Sequence, residues 1–219
     1  MKWDVSSFPA AAVQNTFTTW ISDGANCALN NSVYIGTVGP TGQPGDRGFS
    51  FVGNSVTGGR LGVLSVSFNS EIETSISALL VSGNRFDLAP PYRLPATEFD
   101  QSSADVDVFT ADRLNVSGNT LAAGCVGVRA QGVSTNALVL ANDFGAASLR
   151  SLDWIGGGRD AVSVAIANNK LCGGASQHLR GLLLEGTRHF LLGNSYVNTN
   201  GTPANLQLEP VALPVHYQP

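Results

Sequence analysis

Three charged side chains fall where they could do chemistry together: Asp105, Asp107 and Arg129. In Val106-Asp-Val108 the valines read as inward-facing strand positions. Side chains alternate along a strand, so Asp105 and Asp107 are predicted on the outer face. Arg129, in Val128-Arg-Ala130, faces outward by the same rule, and Glu73 falls close to the same line. An outward column Glu73–Asp107–Arg129 follows. Glu73 and Asp107 are calcium ligands by type, since calcium takes oxygen donors. Arg129 suits the carboxylate of an acidic substrate, held by a forked, charge-assisted pair, or the movement of a proton if strongly perturbed. Paired carboxylates could instead serve glycoside hydrolysis. The plainer reading is a solvated sheet face with a cross-strand ion pair, which contributes little to stability.

The elements that would position these residues are set by a repeat. Its unit is an apolar residue, two spacers, Asn, one spacer and another apolar residue. It runs Phe51-Val-Gly-Asn54-Ser-Val56, Val81-Ser-Gly-Asn84-Arg-Phe86, Val116-Ser-Gly-Asn119-Thr-Leu121, Val139-Leu-Ala-Asn142-Asp-Phe144, Ile166-Ala-Asn-Asn169-Lys-Leu171 and Leu191-Leu-Gly-Asn194-Ser-Tyr196. Weaker copies centre on Asn31 and Asn15, and the short step between those two makes Asn15 read as accidental. A repeat of 20 to 50 residues points first to a solenoid. Asn tolerates left-handed backbone better than other non-glycine residues, so each Asn is expected to turn a corner. Gly53, Gly83, Gly118 and Gly193, just before it, suit a tight turn. If each unit is one coil, Asn31, Asn54, Asn84, Asn119, Asn142, Asn169 and Asn194 stack, and their amides bond in a ladder.

This pattern resembles the right-handed parallel β-helix family, the pectate-lyase-like repeats, in which an asparagine ladder marks one corner. The resemblance covers roughly residues 12 to 197. It implies an all-β, single-stranded right-handed parallel β-helix of about seven to eight coils, some 40 Å long at about 4.8 Å per coil. Polysaccharide lyases of that family place carboxylates, a calcium ion and a basic residue on the outer face of one sheet. Their catalytic motif is not matched residue for residue here. Lysine occurs only as Lys2 and Lys170, and Lys170 lies just past a corner.

Composition sets wider bounds. Of 219 residues, 43% are apolar and 13% charged, with 25 glycines. That suits a sheet-rich body with many corners and excludes a disordered chain. The net charge is −4 and no basic stripe is visible, which argues against nucleic-acid binding. No apolar run approaches the ~20 residues of a membrane span. The opening Met-Lys-Trp-Asp-Val-Ser lacks signal-peptide character, so a place in a longer chain, extracellular or at a virion surface, is one expectation. Cys27, Cys125 and Cys172 show no metal spacing and read as packing residues. His178, His189 and His216 likewise lack ligand spacing. No GxSxG nucleophile elbow or phosphate-binding loop appears.

One domain is expected, with an N-terminal cap over 1–24, the solenoid over 25–202 and a proline-bearing tail over 203–219. Two strands are predicted at Leu61–Phe68 and Ile72–Leu80, and variable corners at 87–105 and 145–161. Pro90, Pro91 and Pro95 keep the first of these corners out of a sheet. Between 36 and 48 glycine recurs every third residue, which reads as an extended surface loop, or as a short contact among three chains. The leading functional expectation is a non-catalytic scaffold or binding module, contacting polysaccharide or sister chains, as in trimeric spikes. The alternative is a lyase or hydrolase on acidic polysaccharide, with calcium as the cofactor and Asp105, Asp107 and Arg129 as its site.

Overall fold

A computed structural model describes residues 2–5, 10–19, 31–37, 48–58, 61–67, 78–87, 104–108, 113–122, 126–131, 136–144, 150–155, 163–173, 182–184, 190–198 and 216–218. Within them the chain is all-β, with no helix, and every strand pairing is parallel.

The first sheet is ordered β1 (Lys2–Val5), β4 (Asn31–Thr37), β7 (Leu61–Ser67), β10 (Ala104–Val108), β13 (Val126–Gln131), β15 (Arg150–Ile155) and β18 (Leu182–Leu184). The second is β2 (Ala10–Val13), β5 (Gly48–Val52), β8 (Ala78–Ser82), β11 (Arg113–Ser117), β14 (Asn136–Leu140), β16 (Ser163–Ala167), β19 (Phe190–Leu192) and β21 (His216–Gln218). The third holds β3 (Thr16–Thr19), β6 (Ser55–Gly58), β9 (Arg85–Asp87) and β12 (Thr120–Ala122). Bridges through Asp143 link Thr120 to Lys170, and so to the pair β17 (Lys170–Gly173) and β20 (Ser195–Asn198). As far as β20 the described strands fall to the first, second and third sheets in turn, with Asp143 bridging where no third-sheet strand lies between β14 and β15, and inner strands pair with the preceding and following strands of their own sheet.

Sequence periodicity explains which faces turn inward. The apolar residue three before each repeat asparagine lies on the second sheet, and the one two after it lies on the third. Phe51, Val81, Val116, Val139, Ile166 and Leu191 are buried from the one side, and Val56, Phe86, Leu121, Phe144 and Leu171 from the other. Val106, Val108, Val128, Ala130 and Leu152 close the core from the first sheet. Each fully buried side chain of this size contributes about 1.5–3 kcal/mol. Aromatic rings continue the stack, with Phe17, Phe51 and Phe86 at centroid spacings of 5.6 and 6.2 Å.

The corner between the second and third sheets is an amide column. Asn15, Asn54, Asn84, Asn119, Asn142, Asn169 and Asn194 follow one another, each Nδ2 donating to the Oδ1 of the next at 2.9–3.2 Å. Each backbone N–H from Asn15 to Asn169 donates to that same oxygen. From Asn54 onward the second Nδ2 hydrogen bonds a carbonyl of the preceding second-sheet strand, such as Val81 for Asn119. A column that is nine-tenths buried along most of its length leaves little of its amide chemistry unmet.

Several expectations need correction. Asn31 is no corner residue: it opens β4, opposite Leu61 in the first sheet. Asn15, read as accidental, begins the column. The left-handed residue is also not the asparagine but its predecessor: Gln14, Gly53, Gly83, Gly118, Ala141, Asn168 and Gly193 have φ between 53° and 65°. The asparagine is required for its amide, and the residue before it for the bend. Residues 1–24, expected as a cap, supply the edge strands β1, β2 and β3. The corner expected at 145–161 contains β15; the predicted strand Leu61–Phe68 matches β7, whereas Ile72–Leu80 meets β8 only over 78–80, and 68–77 lies outside the described residues. Of the glycine-rich stretch 36–48, Gly36 and Gly48 lie in β4 and β5, and 38–47 is outside the described residues.

The split of roles between bend and amide is testable at two corners. A Cβ on Gly118 would meet nothing within 4 Å, so Gly118→Ala carries only the conformational cost, about 1 kcal/mol. Ala141 already bears that cost, so Ala141→Gly is expected to gain about 0.5 kcal/mol after the entropy of glycine is subtracted. Urea midpoints moving in opposite directions are the expected result; shifts of the same sign contradict it.

Candidate functional site

The three residues singled out for chemistry lie in the middle of the first sheet. Asp107 on β10 and Arg129 on β13 are direct register partners. Arg129 Nε donates to Asp107 Oδ1 at 3.2 Å, and Arg129 Nη2 contacts Asp107 Oδ2, giving a forked pair. Fork geometry fixes both groups and uses both carboxylate oxygens. The expected outward, solvated column is corrected by burial: Asp107 is 5% exposed, Arg129 4% and Asp105 0%. Alternation along β10 and β13 assigns a side of the sheet, but it carries no information about what covers that side. Glu73, the proposed second calcium ligand, lies outside the described residues. Asp107 already has a cation across both oxygens, and among the described residues no three His, Cys, Asp or Glu side chains gather around a common point.

Asp105 differs from both. Among the described residues, neither carboxylate oxygen has a hydrogen-bond partner. The register explains its place. Paired residues run Ala104↔Val126 and then Val106↔Val128, passing over Asp105 and Gly127. The same position is passed over where β4 meets β7, β7 meets β10, and β13 meets β15. The register pairing is thus interrupted along one column of the first sheet, and Asp105, expected outward and solvated, is fully buried there. At Gly127 a Cβ would lie 2.3 Å from the ring of core residue Phe144 and 2.8 Å from the Ser151 carbonyl oxygen. Glycine at 127 makes room for that ring.

Burial pushes the Asp105 carboxyl well above the ordinary carboxylate range, and the negative charge of Asp87 adds to the effect. Burying the charged form without a partner is costly, so the neutral acid is favoured. The folded chain then holds a proton that the unfolded chain releases near pH 4. Stability from this group is full below about pH 4 and is lost as pH rises toward the raised folded value, with a slope of at most about 1.4 kcal/mol per pH unit. Asp105→Asn removes the ionisation. The variant is expected to gain on the parent progressively above pH 4 in urea titrations, whereas a difference constant with pH contradicts a desolvated Asp105.

The amide column was recognised from sequence as structural, and the column beginning at Ser32 and running through Gly62, Asp105, Gly127 and Ser151 was not. Its only sequence signal is that small residues and one Asp recur at the second position of the five strands β4, β7, β10, β13 and β15. The outward third-sheet residues carry two ion pairs, Arg85 with Asp87 at 3.7 Å and Lys170 with Asp143 at 3.3 Å, all four side chains half exposed. Pairs of that kind contribute 1 kcal/mol or less, about the median for exposed ions. No family model, no curated protein and no solved structure matches the chain.

Proposed function

We propose that the chain winds as a single-stranded right-handed parallel β-helix of the pectate-lyase-like kind and serves as a non-catalytic scaffold or binding module within a larger surface protein. The rotation of the chain through parallel sheets and the continuous amide column support the winding. The observation that carries the functional reading is the Asp107–Arg129 fork. The two groups best suited to an acidic substrate are spent on each other and withdrawn from solvent. Recognition then falls to the stretches 38–47 and 88–103, which lie outside the described residues; the second contains Tyr92 and Phe99, aromatic residue types suited to sugars. Incubation with polyuronates and calcium, followed in the ultraviolet for unsaturated product, is expected to show no turnover. Glycan-array binding that survives Asp107→Leu/Arg129→Met and is lost on Tyr92→Ala or Phe99→Ala supports the reading.

One observation favours the catalytic alternative. An unpartnered carboxyl held protonated by burial is the state of a general acid, and Asp105 is such a group. Turnover of an acidic polysaccharide that disappears in Asp105→Asn would replace the scaffold reading with this one.

A further inference from the structure

Asp105 stands between two glycines. The register places Gly62 of β7 on one side of it and Gly127 of β13 on the other, and the pairing passes over all three. Neither neighbour has a side chain that could meet its carboxyl. Both oxygens are buried and, among the described residues, without a partner, in a strand whose five residues are all buried. Only Ala104 precedes Asp105 in β10, so the start of the strand is tied to the sheet through Ala104↔Leu61 and Ala104↔Val126 alone. Past Asp105, the residues Val106, Asp107 and Val108 pair without interruption on both sides. Among the described residues the charged groups around this point belong to three strands. Asp107 on the same strand is held in the fork by Arg129 of β13. Asp87, the last residue of β9, pairs with Arg85 at the surface. Strands β7 and β12 carry no titratable side chain.

We propose that Ala104 and Asp105 form a pH-operated latch: with the Asp105 carboxyl protonated the start of β10 is seated in the first sheet, and with that proton lost these two residues leave their neighbours while Val106–Val108 stay paired. A buried carboxylate with no donor is strongly disfavoured, and the negative charge of Asp87 acts in the same direction as burial. Relief is local because little has to be broken. Opening gives up the two pairings of Ala104 and exposes one methyl group beside the carboxyl. Each further residue of β10 is bound on both sides and buries a valine or the fork, so the opening stops there. Weakly tied segments open sub-globally, at a lower cost than global unfolding. The sign follows from linkage. The seated form keeps a proton that the opened form releases near pH 4. Opening is therefore rarest below about pH 4, grows by up to about tenfold per pH unit above it, and levels off at the raised value of the seated carboxyl. The latch goes beyond the scaffold reading and does not depend on it.

Amide hydrogen exchange followed from about pH 4 to about pH 8, and corrected for the intrinsic pH dependence of exchange, tests it. Protection at Asp105 and Val106 is expected to fall by up to about tenfold per pH unit. It should also be insensitive to urea below the unfolding transition, because an opening of two residues exposes little surface. Asp105→Asn cannot ionise, so its protection at Val106 should stay level with pH. Asp87→Asn removes the like charge, so the fall should level off at a lower pH; this variant decides the matter if Asp105→Asn does not fold. Protection at Val106 that is level with pH in the parent, that falls equally in Asp105→Asn, that is unmoved by Asp87→Asn, or that falls with urea as global unfolding requires, would overturn the latch.

Discussion

Arg129→Met is expected to destabilise the chain by about 3–5 kcal/mol, the usual cost of leaving one partner of a buried ion pair alone. The reason is geometric. Arg129 places two nitrogens on the two oxygens of Asp107, and both residues are about nineteen-twentieths buried. Removing the guanidinium strands a carboxylate between Val106 and Val108, where water does not reach it. Asp107→Leu should cost a similar amount for the opposite charge. The double variant Asp107→Leu/Arg129→Met should recover most of the loss, because two apolar side chains of similar volume replace a buried pair at little net cost. Urea midpoints of the four chains give the coupling directly. A single-variant loss below about 1 kcal/mol would match a solvated surface pair and contradict the burial.

Asn119→Ala is expected to cost about 3–5 kcal/mol, well beyond the loss of one hydrogen bond. The side chain donates to the Val81 carbonyl and to Asn142 Oδ1, and it accepts from the backbone N–H and Nδ2 of Asn84. Alanine takes one hydrogen bond from each of these four buried groups, although Asn142 Oδ1 keeps the backbone N–H of residue 119 and Asn84 Nδ2 keeps the Phe51 carbonyl. Asn15→Ala, at the exposed end of the column, removes a side chain whose amide, among the described residues, bonds Val13 and Asn54; it should cost about 1 kcal/mol or less. The contrast between the two positions is the informative quantity. Equal small losses would mean that the amides do not share load along the column.

Much of the fold was legible because it is local. The apolar residues three before and two after each asparagine were readable as core from spacing alone, and so was the near alignment of Asp107 with Arg129. What was missed depends on long-range pairing. Asn15 and Asn31 carry the same motif, yet Asn15 meets Asn54 while Asn31 opens a strand of the first sheet, and only the circuit length decides between them. The left-handed residue was placed on the asparagine, although Ala141 and Gln14 in the preceding position show that the bend and the amide are separate demands. Asp105 was misread for a subtler reason. Alternation along β10 assumes an unbroken ladder, and the ladder passes over the second position of β4, β7, β10, β13 and β15. The burial of Asp107 and Arg129 is a property of the folded chain that alternation along β10 and β13 does not encode.

The winding itself is tested most directly by distances along the third-sheet column Thr16, Ser55, Arg85, Thr120, Asp143, Lys170 and Ser195, whose members are register neighbours in that order. Spin labels at Thr16 and at Lys170 or Ser195, all exposed, should report backbone separations of about 24 Å and about 29 Å, because each circuit adds one strand spacing of about 4.8 Å. Separations that rise by one such step for each circuit, with narrow distributions, are the predicted result. Separations that do not grow with the number of circuits would contradict a chain wound in stacked parallel turns.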